Sequence, residues 1–175
     1  MNRFLNALGF QMGWWACVAG VGQGLDIAAL VFCSVLVCVH LFFSDWRWVE
    51  IKVALFACAI GVVVDTALQY ALVIDFYGWA LPPLSPFWLW MLWVLFALTL
   101  NTSLAFLKQA PLIISALAGL VFGPLTYIAG AKYGAASFDN TLPHIAILGV
   151  TWMLSMPALV RMAQIISTQA HRGPP

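Results

Sequence analysis

Six long apolar runs, separated by short polar or proline-rich segments, occupy most of the chain. Most of the runs reach the roughly 20 residues that a helix needs to cross the hydrocarbon core of a bilayer. The pattern predicts an all-α integral membrane protein with six transmembrane helices in one bundle, and a single polytopic domain over residues 1–175. The predicted helices cover about residues 4–22, 25–43, 51–76, 87–107, 111–134 and 143–166.

Three segments mark the clearest breaks between the runs. Residues 22–24 (GQG) predict a turn, and the polar stretch 44–52 (SDWRWVEIK) predicts a connection between the second and third helices. Residues 77–86 (YGWALPPLSP) cannot form a regular helix, because each of the three prolines removes a hydrogen-bond donor and restricts the residue before it.

The fifth run combines apolar length with an unusual number of small residues. Positions three or four apart fall on one helical face, and small residues on such a face let membrane helices approach closely. The stretch therefore predicts the central helix of the bundle. The residues on this face are Ser115, Gly119, Gly123, Tyr127, Gly130 and Gly134.

Composition agrees with a membrane protein. The chain is 64% hydrophobic and only 7% charged, with a mean hydropathy of +1.00, whereas about a quarter of the residues in soluble domains are charged. Nine tryptophans suit a protein with two membrane interfaces. A net charge of +1 predicts no nucleic-acid partner. The spacing of the three histidines and four cysteines predicts no metal site, and no cofactor is expected.

Charge distribution selects an orientation. With six spans, both termini lie on one side, and the lysines and arginines then divide six to one between the two faces. The positive-inside rule predicts that both termini are cytoplasmic, with only Lys132 at the outer face. The cations assigned to the inner face are Arg3, Arg47, Lys52, Lys108, Arg161 and Arg172.

Asp65 is the most informative polar residue, because it falls near the middle of the third apolar run. An acidic side chain there costs roughly 2.5 to 3.5 kcal/mol on insertion scales, so it should face protein or water rather than lipid. Two interpretations remain open: a ligand-binding or catalytic carboxyl, or a buried carboxyl bonded to a neighbouring donor.

Depth along the helices indicates a partner for Asp65. At about 1.5 Å of rise per residue, Asp65 lies about 21 Å from the inner end of its helix, and Tyr127 lies about 24 Å along the fifth. Lys132 lies about 32 Å along the same helix. We therefore expect the Tyr127 hydroxyl beside Asp65 and the Lys132 amine extending outward, with an Asp65–Lys132 pair as the alternative.

Further polar and aromatic residues complete the set of candidate ligand-binding residues. Asn101, in LTLNTSLAF, is predicted in the inner part of the fourth helix, where a bond between helices is the competing interpretation. The complete set is Asp65, Gln69, Asn101, Tyr127, Lys132, Gln11 and Trp14.

Several short motifs resemble a known family. The run GPLTYIAGAKYGA at 123–135, LTLNTSL at 98–104, Asp65 in its helix and the pair Gly13–Trp14 resemble small bacterial inner-membrane proteins catalogued as a domain of unknown function. The resemblance implies location in a bacterial inner membrane. It brings no established site residue to this chain.

Three functional hypotheses follow. The leading one is a polar-lined pocket between helices one, three, four and five, open to the outer half of the membrane, that binds a lipid-like or small amphipathic molecule. The second is a lipid-modifying integral membrane enzyme with Asp65 as general acid or base. The third is a structural subunit whose glycine face contacts a membrane protein partner or a second copy. The lipid bilayer is a partner in all three.

Overall fold

The computed structural model describes residues 2–171 and contains six α-helices, which confirms the predicted all-α class. Two strands of two residues each, β1 (Asp75–Phe76) and β2 (Ala136–Ser137), pair antiparallel, and a 3-10 turn covers Ala105–Lys108. The helices are α1 (Arg3–Gly22), α2 (Asp26–Phe42), α3 (Arg47–Tyr70), α4 (Phe87–Leu100), α5 (Leu112–Lys132) and α6 (Leu142–His171).

Three of these helices, α3, α5 and α6, are long and apolar enough to cross a membrane by length and composition. Helices α2 and α4 are apolar but shorter. Large apolar side chains point outward along the long helices, including Val63, Phe122 and Leu154, which are 68%, 64% and 65% exposed. Exposed apolar surface of this extent is typical of a protein that faces lipid.

Helix α3 begins and ends earlier than the hydrophobic pattern predicts. The Ser44 hydroxyl accepts a hydrogen bond from the Trp46 N–H at 3.3 Å, so the chain turns there and the polar stretch forms the first turns of the helix. At the other end, Leu72 adopts a φ of 56°, and the Val73 N–H bonds to the Leu68 carbonyl at 3.1 Å. A residue in the left-handed region ends a helix in this way.

Helix α4 ends at Leu100, whereas the apolar run predicted a helix to about residue 107. The Thr102 hydroxyl donates to the Leu98 carbonyl at 3.1 Å, and the Leu104 N–H donates to the Thr99 carbonyl at 2.8 Å. Short polar side chains compete with the helical backbone for its hydrogen bonds. The sequence NTS therefore ends the helix inside the apolar run.

Helix α4, rather than α5, is the central helix, so that prediction was wrong. Helix α4 packs against α1, α2 and α3, while α5 packs mainly against α6. A helix surrounded by others must be apolar on all sides, and α4 buries Trp88, Leu89, Trp93, Leu95 and Leu98 around its circumference. The small-residue face of α5 packs mainly against one helix, α6.

The expected close approach at the glycine face of α5 is present. A Cβ atom added at Gly119 would collide with the backbone of Trp152, and one added at Gly123 would collide with the Trp152 side chain. These two glycines therefore allow α6 to lie directly against α5.

The connections define two ends of the bundle. At the end that we call the loop end, the Asp26 carboxylate accepts from the Trp79 N–H at 3.1 Å, and the Tyr77 N–H donates to the Ala135 carbonyl at 3.0 Å. At the opposite end, which we call the termini end, the Asn6 side chain of α1 accepts from Ser103. Successive helices thus run between the same two ends.

Candidate functional site

A long apolar cavity follows the inner face of α5, where α1, α4 and α6 form its other walls. Its volume is about 530 Å³. It extends from Leu104 and Leu107 at the termini end to Phe76 and Ala136 at the loop end. Ten of its 23 lining residues are aromatic, so its walls are built mainly from rings and aliphatic groups. We call this cavity the slot.

The slot differs from the predicted pocket in its walls and in its chemistry. Helix α3 contributes no lining residue, whereas α6 contributes Trp152 and Met156. The lining hydroxyl of Thr126 donates to the Gly123 carbonyl at 2.7 Å, so it is satisfied within its own helix. The predicted polar-lined pocket is therefore an apolar slot, because Asp65 and Gln69, which were expected to converge there with Tyr127, do not line it.

Gly130 lies beside open space in the slot. The residue is buried and lines the slot, yet a Cβ atom added to it would meet no atom within 4 Å. The slot therefore exists partly because α5 has hydrogen rather than a side chain at this position.

Asp65 lies directly behind the slot and is fully buried, with 0% exposure. Its Oδ2 accepts from the Trp93 indole N–H at 2.7 Å, and its Oδ1 accepts from the Tyr127 hydroxyl at 2.5 Å. Trp93 and Tyr127 line the slot, but Asp65 does not. The carboxyl group therefore holds two rings of the wall in position from the far side.

Glycine and tryptophan contacts explain how the wall is assembled. A side chain at Gly61, one helical turn before Asp65, would collide with the Trp93 ring, so the glycine lets that ring lie against α3. Trp93 stacks on Trp152 with ring centroids 4.9 Å apart and an interplanar angle of 6°. Trp152 also meets the Tyr127 ring at 6.4 Å. We call Trp93, Tyr127 and Trp152 the aromatic wall.

The expected Asp65–Tyr127 contact is confirmed, and Lys132 lies exposed at the end of α5. The second partner, Trp93, was missed because tryptophans were interpreted as interfacial residues. The observed helix limits place the two residues at similar depth, with Trp93 six residues into α4 and Asp65 five residues from the end of α3. The predicted end of the third helix at residue 76 concealed this match.

The other predicted residues are dispersed. Trp14 lines the slot, but Gln11 is exposed on α1. Asn101 follows α4 at the termini end, far along the bundle from Asp65. Gln69 lines a separate cavity, so it does not join Asp65 and Tyr127 in one site.

This separate cavity lies at the loop end and has a volume of about 710 Å³. Its lining is more polar than that of the slot and includes Asp75, Asp139 and His144. The β1 strand separates the two spaces, because neighbouring strand residues point to opposite faces: Asp75 lines the polar cavity and Phe76 lines the slot.

A second group of polar side chains joins the helices at the termini end, and of its members Asn101 alone was among the predicted candidates. The Asn6 Oδ1 accepts from the Ser103 N–H at 3.2 Å and from its hydroxyl at 2.6 Å. The Asn6 Nδ2 donates to the Leu98 carbonyl and lies 3.3 Å from Nδ1 of His40. With the amide fixed in this orientation, Nδ1 of His40 accepts, and a neutral ring carries its proton on Nε2.

Glu50 is the buried acid of this group, with 5% exposure. Its Oε1 lies 3.8 Å from Nε2 of His40, and its Oε2 accepts from the Asn101 amide at 3.3 Å. The Asn101 Oδ1 accepts in turn from the Lys108 amine at 2.7 Å. Burial lowers the pKa of Lys108, and the Glu50 carboxylate opposes that shift. These contacts link α2 and α3 to the chain beyond α4.

The arrangement suits retention of an apolar molecule better than reaction chemistry. Both oxygens of Asp65 already accept hydrogen bonds inside the protein. Within residues 2–171, no group of three or more His, Cys, Asp or Glu side chains could hold a metal ion. The slot offers rings and aliphatic groups, which bind hydrocarbon through dispersion and close packing.

Fold and site together define a helical membrane-type protein with an apolar slot whose aromatic wall is held by a buried carboxyl group. The chain belongs to the DUF2878 family of proteins of unknown function, whose family model matches residues 3–158. The match spans every residue that lines the slot and confirms the domain of unknown function that the motifs resembled. No curated protein and no solved structure matches the chain.

Proposed function

We propose that this protein binds the hydrocarbon part of a lipid-like molecule in the slot. The observation that carries the proposal is the slot itself: about 530 Å³ of apolar space between four helices, with ten aromatic residues in its lining. This volume falls within the roughly 300–1,000 Å³ of typical ligand sites. Hydrocarbon is the class of ligand that matches an apolar lining of this kind.

The slot also has a charged residue near one opening. Gly130 lines the loop end of the slot, and the exposed Lys132 follows two residues later at the end of α5. The two residues lie about 200° apart around the helix, so Lys132 does not line the slot, but a head group at this opening would lie at the depth of the Lys132 amine. The ligand that fits this arrangement is amphipathic.

Binding is a better fit than catalysis by Asp65. A general acid or base must reach the group with which it exchanges a proton. Asp65 is separated from the slot by the Trp93 and Tyr127 rings, which occupy both of its oxygens. Its role in this proposal is to fix the shape of the wall.

The proposal places all six helices across a bacterial inner membrane, with both termini in the cytoplasm. The termini end carries Arg47, Lys108 and Arg161, whereas the loop end carries several aspartates and Lys132. Thiol labelling of intact cells tests this orientation: a cysteine at the exposed Asn140 should react from outside, and one at the exposed Thr168 only after permeabilisation. The reverse labelling would contradict the orientation.

Filling the slot should remove the ligand without unfolding the protein. The Gly130→Leu variant places a side chain into open space, so we expect retained lipid to fall roughly tenfold while the helices persist. The measurement is mass spectrometry of molecules that remain on gently purified protein.

Gly9→Leu is the matched control, because Gly9 also has no atom within 4 Å of an added Cβ but lies outside the slot. A discrete lipid present in the wild type and the control but lost from Gly130→Leu would support the proposal. The same bulk lipid in all three proteins, at matched folding, would contradict it.

A further inference from the structure

We infer that the ligand contributes a linear hydrocarbon chain that is longer than a single membrane leaflet and crosses the bilayer midplane inside the slot. This inference rests on the proposed function and adds the chain length that the slot selects.

Length is the first observation. Ile114 and Gly130 both line the slot on α5, and the 16 residues between them correspond to about 24 Å of helix. One leaflet contributes only about 15 Å of the roughly 30 Å hydrocarbon core. A chain confined to one leaflet would leave about a third of the slot empty, and an apolar void forfeits packing contacts along its whole lining.

Continuity is the second observation. The lining joins the 3-10 turn at the termini end to β1 and β2 at the loop end. The buried carboxyl group near the loop end does not interrupt it, because the Trp93 and Tyr127 rings cover Asp65. A hydrocarbon chain therefore meets apolar surface from one end of the slot to the other.

Two chemical sources could supply such a chain: an unbranched very-long-chain acyl or alkyl group, and an isoprenoid chain. Both are linear hydrocarbons, and they differ in unsaturation and methyl branching. The aromatic lining can pack against either. The experiment therefore carries one series of probes for each source.

A chain-length series tests the inference. Detergent-solubilised protein is mixed with decanol, hexadecanol, eicosanol or tetracosanol, and in a second series with farnesol, geranylgeraniol or solanesol, and bound probe is counted by native mass spectrometry. We expect affinity in at least one series to keep rising beyond chains of leaflet length. Eicosanol should bind at least about tenfold more tightly than decanol, or geranylgeraniol at least about tenfold more tightly than farnesol.

The Gly130→Leu variant should change the preferred chain length. It closes the loop end of the slot, so the preferred chain should shorten by about one helical turn, or about 5 Å, while Gly9→Leu keeps the wild-type preference. The long-chain inference would be overturned if affinity stopped rising at decanol. It would also be overturned if Gly130→Leu weakened the binding of every chain length equally, and either result would leave the proposal of slot binding intact. No bound probe of any length in folded wild type would overturn the proposed function as well.

Discussion

Asp65→Ala should lower the free energy of unfolding by about 2–4 kcal/mol, because it leaves two buried donors without an acceptor. The donors are the Trp93 indole N–H and the Tyr127 hydroxyl, which reach Asp65 at 2.7 and 2.5 Å. Both rings line the slot, so the variant should also lose retained ligand. Denaturant titration of the purified protein in detergent measures the first effect, and lipid mass spectrometry measures the second.

Asp65→Asn is the matched control for this experiment. An indole N–H can only donate, whereas a tyrosine hydroxyl can donate or accept. The asparagine oxygen can therefore take the Trp93 bond while its amide donates to Tyr127, and we expect a smaller loss than for alanine. Equal stability of wild type and Asp65→Ala would show that Asp65 does not hold the aromatic wall. Loss of ligand from well-folded Asp65→Asn would instead indicate that the carboxylate charge itself is needed.

Gly61→Ala should destabilise the protein by about 3 kcal/mol or more, the upper range for overpacked cores. The added methyl group would collide with the Trp93 ring, which is fixed on its other side by stacking on Trp152. The sign of this stability change is informative, because alanine in place of glycine normally stabilises an unstrained helix by about 1 kcal/mol. Thermal unfolding in detergent provides the measurement.

Two comparisons separate this collision from a general effect of altering a helical glycine. Gly9→Ala, where an added Cβ has no neighbour within 4 Å, should be neutral or stabilising. Gly61→Ala should cost less stability when Trp93 is replaced by leucine than when Trp93 is present, because the smaller side chain makes room for the methyl group. Strictly additive losses in the double variant would contradict the proposed contact.

Most of the correct predictions rest on the regular apolar runs and on the depth of each residue along its helix. The predicted limits of the first and second helices lie within one residue of α1 and α2, because the glycine turn at 22–24 interrupts a strongly apolar pattern. Rise per residue brought Asp65 and Tyr127 to the same depth, and the two side chains do bond. Such predictions succeed where a local property is sufficient.

The polar group at the termini end shows why other predictions failed. Residues 44–52 contain five polar or charged side chains, so Glu50 was assigned to a connection, whereas it lies in the first turn of α3 and is buried. Its partners, His40 and Asn101, come from other parts of the chain, and their contacts stabilise the buried carboxyl group. Tertiary contacts override local polarity here.

The slot has no signature in the sequence. Its lining residues are the same leucines, phenylalanines and tryptophans that elsewhere face lipid or fill the core. What creates the space is the way α5 lies against α6 at Gly119 and Gly123, with no side chain at Gly130 to close the gap. Glycine spacing indicates that helices meet, but it does not say which side of the helix stays open.

Photo-cross-linking in lipid bilayers tests occupation of the slot most directly. The probe is eicosanol with a diazirine near its far end, and the adducts are located by peptide mass spectrometry. Binding in the slot predicts adducts on Trp93, Phe96 or Trp152 that unlabelled eicosanol competes away and that Gly130→Leu reduces. Adducts confined to outward residues such as Ile113 and Val121, unaffected by competitor, would contradict it.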